Sequence, residues 1–130
     1  MARWFLGFGA VAGGLAVAAG AFGAHALRDL VPPERLATFE TAVQYQMYHA
    51  LALLVVGWFY SRASAHGRAL AWAGRAFIAG ILLFSGSLYI LVLADAPMWG
   101  AVTPLGGVAF IAGWICLAIA LLGRTDLEGR

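Results

Sequence analysis

The sequence has 130 residues, of which 63% are hydrophobic and only 11% charged, and its formal net charge is +2. That length makes one domain over residues 1–130, and that balance lies far outside the soluble range, so an ordinary water-soluble core is excluded. All eight basic residues are arginine, and their placement fits membrane topology, so no nucleic-acid partner is expected.

In chain order, four apolar stretches run over about 4–27, 43–60, 70–93 and 102–122. Each approaches the roughly 20 residues that cross about 30 Å of hydrocarbon. The first follows Arg3 and carries Gly9, Gly13, Gly20 and Gly23 at spacings suited to close helix contact. "AHA" at 24–26 resembles a signal-peptide cleavage site, but the run before it is longer than a signal peptide's apolar segment, so a retained helix is expected. The next segment, "RDLVPPERLATFETA", has two prolines followed by Glu34, a helix-start pattern. Leu36, Phe39 and Val43 then recur at threes and fours, which predicts a short amphipathic helical segment over about 33–42, lying at the outer interface.

The second stretch opens with Gln44, Tyr45, Gln46 and His49 before turning to pure hydrocarbon. The third holds Ser85, Ser87 and Tyr89 together with Gly86, and Arg75 stands one turn inside its start. The fourth opens at Thr103 and carries Gly106, Gly107 and Gly113 as a second small-residue stripe, with Cys116 as an apolar filler. His66 belongs to a short arginine-bearing loop and reads as a solvated side chain. The expected architecture is an all-α integral membrane protein, an antiparallel four-transmembrane-helix bundle.

Arg3, Arg62, Arg68, Arg75, Arg124 and Arg130 fall at the termini and the second loop, against only Arg28 and Arg35 in the first and none in the third. By the positive-inside rule both termini and the second loop are cytoplasmic and the protein is multi-pass. With that orientation His25, Tyr45, Gln46, His49, Ser85, Ser87, Tyr89 and Thr103 all fall in the outer half. Polar groups in lipid turn inward and pair with each other, so these residues are the candidate site, with His25, Gln46, His49, Ser85 and Tyr89 at its centre.

Four readings of the cluster are open. Binding or supporting a lipid or a partner protein, without catalysis, comes first. An oligomeric transporter or channel for ions or small molecules is the alternative, although the inner half shows no polar path. Haem or metal held by His25 and His49 is third, with no other cofactor signature. A hydrolase using Ser85 or Ser87 with His49 is fourth and lacks an acid partner in the membrane, so no enzyme is expected.

"GAFGAH" (20–25), "YQMYHALAL" (45–53), "LFSGSLY" (83–89) and "VTPLGGVAFIAGW" (102–114) resemble the bacterial inner-membrane family called domain of unknown function 423, also uncharacterised protein family 0382. More distantly the chain resembles the eukaryotic transmembrane protein 256. The likeness covers all four helices and spares only the second loop and the tail after Gly123. It implies a small four-helix membrane protein with no established activity. The matching motif positions are Gly20, Gly23 and His25, then Tyr45, Gln46 and His49, then Ser85, Gly86, Ser87 and Tyr89, then Thr103, Pro104, Gly106, Gly107, Gly113 and Trp114.

Overall fold

In a computed structural model the chain is described over residues 1–63 and 67–128, with side chains through Gly123. His66 and Arg130 lie outside the described residues, as does the side chain of Arg124. Every element among the described residues is helical: α1 (Ala2–His25), α2 (Pro33–Ser61), α3 (Gly67–Leu93) and α4 (Thr103–Glu128). Short 3₁₀ turns at Leu27–Asp29 and Pro97–Ala101 lead out of α1 and into α4. The start of α1, the end of α2, the start of α3 and the end of α4 form one end of the bundle, called the near end below.

Three of these helices, α1, α3 and α4, are long and apolar enough to cross a membrane. Helix α2 has the length, at 29 residues, but Gln44, Tyr45, Gln46, Tyr48 and His49 interrupt its apolar run. Its start follows the sequence: Pro32 caps it in extended backbone, Pro33 opens the first turn, and Glu34 places a carboxylate beside the free N–H groups. Residues 33–42 are not a separate segment. They are the opening turns of one continuous helix, because Phe39 and Ala42 are buried and carry the packing face through the expected break.

Helix α3 is α-helical over Gly67–Gly80, widens into a π turn at Ile81–Ser85, and resumes over Gly86–Leu93. It ends where Asp95 takes a left-handed backbone, φ 48°, so that the Ala96 N–H reaches back to the Leu91 carbonyl at 3.1 Å. This is a Schellman closure, with aspartate where glycine is commonest. Arg35 fastens the same turn, donating to Leu91 O at 2.9 Å and pairing with Asp95 at 3.1 Å.

Helix α1 packs along α2 and α4 along α3, while α2 and α3 join the two pairs. Glycine sets how closely they approach, though at positions only partly expected. A Cβ at Gly9 would meet the Ala50 carbonyl at 2.9 Å, and one at Gly106 would run into the Phe84 backbone in the π turn. Elsewhere the partner is an aromatic ring. Gly23 lies against Phe39, Gly113 against Phe77, Gly80 against Phe110 and Gly74 against Phe5. The pairs Phe77 on Gly113 and Phe110 on Gly80 are reciprocal and interlock α3 with α4. Gly57, which meets Leu6, Gly74 and Gly80 were not expected to matter. Conversely Gly13, Gly20, Gly86 and Gly107 were expected as contacts, yet each leaves room for a methyl group, so they do not limit the packing.

The surface is inverted relative to a soluble protein. Val11, Leu15, Leu51, Val55, Leu82, Val108, Ile111, Ile115 and Ile119 are all exposed, a continuous apolar exterior of the kind lipid covers.

Candidate functional site

Gln46 and His49 lie at the middle of α2, with Ser85, Ser87, Tyr89 and Thr103 toward the end of the bundle where α2 begins. Gln46 donates from Nε2 to the Ala12 carbonyl at 2.8 Å and accepts the Tyr89 hydroxyl on Oε1 at 2.6 Å, so one amide joins α1, α2 and α3. Ala12 is the eleventh of the 24 residues of α1, which places this junction near the middle of that helix. Helix α2 starts a full ten residues before residue 43, where its crossing part was expected to begin, so Gln46 and His49 stand at the middle of that helix rather than near its opening. Ser85 adds a second tie, its hydroxyl donating to the Ala42 carbonyl at 2.7 Å.

His49 is buried and fully engaged. Its Nδ1 lies 2.7 Å from the Tyr45 carbonyl and its Nε2 is 3.1 Å from the Trp114 indole nitrogen. A carbonyl only accepts and an indole N–H only donates, so the proton is on Nδ1 and the Nε2 lone pair faces Trp114. The ring stacks on Phe110 at 3.5 Å between centroids, with Phe77 at 5.5 Å. Tyr45 contributes its backbone carbonyl; its ring is partly exposed and stacks on Phe84 at 4.5 Å.

Ser87 and Thr103 form a separate pair nearer the far end. The Ser87 hydroxyl donates to the Phe84 carbonyl at 2.9 Å, so Thr103 is the donor in their 2.7 Å contact. His25 joins neither group. It is exposed at the last residue of α1, and Gly9, not His25, stands opposite Ala50 beside His49. From Gly9 to His25 is 16 residues, about 24 Å of helix. Metal–imidazole bonds are about 2 Å long, so these two histidines cannot share an iron or any other ion. Among the described residues no group of three or more His, Cys, Asp or Glu side chains converges on a metal position.

The serine hydroxyls and the imidazole are engaged with other partners. Both serine hydroxyls donate to backbone carbonyls, and the nitrogen of His49 that would act as base is held by Trp114. Trp114 was the member of the network that pairing arguments missed. Its signal was the sequence "GGVAFIAGW", in which a tryptophan follows Phe110 by one turn.

Two clefts flank the network. One, about 520 Å³, opens between α2 and α4 and is walled by Tyr45, Tyr48, Phe84, Phe110, Ile111 and Trp114, with His49 in its floor and Gly107 as its notch. The other, about 300 Å³, lies between α1 and α3, where Phe8, Val11 and Leu15 face Ile81, Leu82 and Gly86 above Gln46 and Tyr89. Each therefore exposes hydrocarbon and ring faces over polar atoms already bonded within the protein. Among the described residues no fully buried side-chain nitrogen or oxygen is left without a partner.

A family model described as "Protein of unknown function (DUF423)" matches residues 19–107, the span that holds Gln46, His49, Ser85 and Tyr89. The chain belongs to this family. Among DUF423 relatives, the UPF0382 membrane protein YwdK of Bacillus subtilis is 49% identical over 89% of this chain and 94% of its own length. UPF0382 membrane proteins of Staphylococcus aureus and Staphylococcus epidermidis are 48% and 46% identical, each over 91% of this chain and 94% of theirs. Those names place the DUF423 relatives in a membrane and state no activity. No solved structure matches the chain.

Proposed function

We propose that this DUF423 protein is a non-enzymatic, four-pass protein of the bacterial inner membrane that holds a lipid acyl chain in the cleft between α2 and α4. The observation that carries the reading is the cleft itself. It faces the exterior that lipid covers, its walls are aromatic, and the polar atoms beneath it are spent on internal hydrogen bonds. What remains on offer is dispersion and ring contact, which suits a hydrocarbon chain, with the hydroxyl-bearing rings of Tyr45 and Tyr48 beside it.

The fourth crossing follows by parity. Phe5 near the start of α1 seats on Gly74 near the start of α3, and α1 and α3 run alongside each other in the same direction through the smaller cleft. If both cross, the chain between them must return, and α2 is the helix that does so. Gln46 and His49 at its mid-length are bonded to α1, α3 and α4, which removes the cost of taking those two side chains into lipid. The arginine-rich near end is then cytoplasmic, both termini with it, and the first turns of α2 reach the outer interface.

The test is native mass spectrometry of protein released gently from membrane, comparing wild type with Gly107→Leu. The notch at Gly107 has nothing within 4 Å, so leucine fills the cleft without disturbing the bundle. Retained lipid on the wild type and its loss in the variant support the reading; equal retention, or a bare wild-type chain, refutes it. Retention of a second protein chain instead would give the same face to a partner.

A further inference from the structure

Helix α3 carries Arg75 eight residues beyond Gly67, about 12 Å along its axis, within a stretch apolar enough to cross a membrane. Charges at such depth ordinarily face the bundle interior and are paired. Arg75 does neither. It is exposed, and among the described residues it makes no hydrogen bond or ion pair, only a contact with the Trp72 ring at 5.3 Å from the guanidinium carbon.

Among the described residues no carboxylate is placed to neutralise it. Asp29, Glu34, Glu40 and Asp95 stand at the far end. Asp126 and Glu128 are on α4, but Phe77 on Gly113 sets Arg75 near the level of residue 115, and Asp126 is about 16 Å further along that helix. Side chains lean toward the start of their own helix, so Arg75 reaches out of the hydrocarbon toward the near-end headgroup layer, as arginines in lipid do. Arg68 and Trp72 share its face, and Arg62 repeats the device at the end of α2, lying 3.4 Å over the Trp58 ring.

We propose that Arg75, seated on Trp72, binds the phosphate of an anionic phospholipid in the leaflet at the near end. A planar guanidinium pairs with phosphate through two parallel N–H groups, while the ring covers one of its faces. Exposed Leu82, two turns further on, continues the face as hydrocarbon for the attached chain. With no carboxylate in reach to match an ammonium, the site favours phosphatidylglycerol over phosphatidylcholine. The inference shares the membrane reading above but is independent of the α2/α4 cleft.

The experiment titrates the full chain in detergent with phosphatidylglycerol or phosphatidylcholine and counts bound lipid by native mass spectrometry. Wild type is expected to retain phosphatidylglycerol about fivefold more strongly than Arg75→Gln, while phosphatidylcholine retention is the same in both. Arg28→Gln, altered at the far end, is expected to behave as wild type toward phosphatidylglycerol, and Gly107→Leu, which removes the cleft lipid whatever its headgroup, is expected to keep the wild-type preference for phosphatidylglycerol over phosphatidylcholine. Equal retention by wild type and Arg75→Gln, or an equal loss in Arg62→Gln, overturns the site. If Arg75→Gln does not fold, Trp72→Leu decides: reduced phosphatidylglycerol retention supports the site and unchanged retention overturns it.

Discussion

Gln46 does more joining than any other polar side chain described, since both ends of its amide are used between helices. Gln46→Leu keeps the volume but leaves the half-buried Tyr89 hydroxyl and the Ala12 carbonyl without their partner. We expect a loss of about 1–2 kcal/mol, given that interhelical bonds in membranes are worth about 0.6 kcal/mol and an unpaired buried group adds its own cost; thermal unfolding in detergent measures it, and an unchanged midpoint would show the junction to be idle. His49→Ala removes the acceptor of Trp114 and the ring stacked on Phe110, and is expected to cost a similar amount by the same measurement. The sequence made the Gln46–Tyr89 pair legible because polar residues in an apolar run must find partners, but His49 and Ser85 bond elsewhere. It could not reveal that the partners are largely backbone carbonyls, Ala12, Ala42 and Tyr45, since every residue offers one. His25 misled for a related reason: counting from helix ends placed it beside His49, and only the register of α1 on α2 separates them.

At the level of elements, the contact between α4 and the π turn of α3 is the most exacting. Gly106 and Gly107 are adjacent and read alike in sequence, yet one abuts the Phe84 backbone and the other opens onto the cleft. Gly106→Ala should therefore lower stability by about 1–3 kcal/mol as an overpacked site, whereas Gly107→Ala should leave the unfolding midpoint within error. Equal effects at the two positions would place the helices differently. The lengths of α1, α3 and α4 were legible from hydropathy alone. The unbroken run of α2 was not, because its opening turns are amphipathic, and a helix that buries Phe39 and Ala42 against neighbours looks in isolation like one resting on a surface. The π turn had no sequence signal apart from the glycines on either side of it.

The whole molecule is two helix pairs, joined along α2 and α3 and cross-tied at mid-length, with an apolar exterior and, among the described residues, Arg3, Arg62, Arg68 and Arg75 at one end against Arg28 and Arg35 at the other. Exposed positions at the two ends make the topology measurable: Leu30→Cys and Met98→Cys should react with an impermeant thiol reagent on intact cells, and Arg62→Cys only after lysis. Labelling of Arg62→Cys from outside would invert or break the four-pass arrangement. Membrane residence was plain from composition. The clefts were not, because each is formed by helices far apart in sequence, and a cleft is a property of what the packing leaves unfilled.

The most direct measurement of the central claim is an experimental structure determined in a lipid bilayer or mesophase at a resolution that shows acyl chains. Continuous chain-shaped density against Gly107, Phe110 and Trp114, between α2 and α4, is the result expected. A cleft closed by side-chain movement, or filled by a helix of a neighbouring protein, would contradict it.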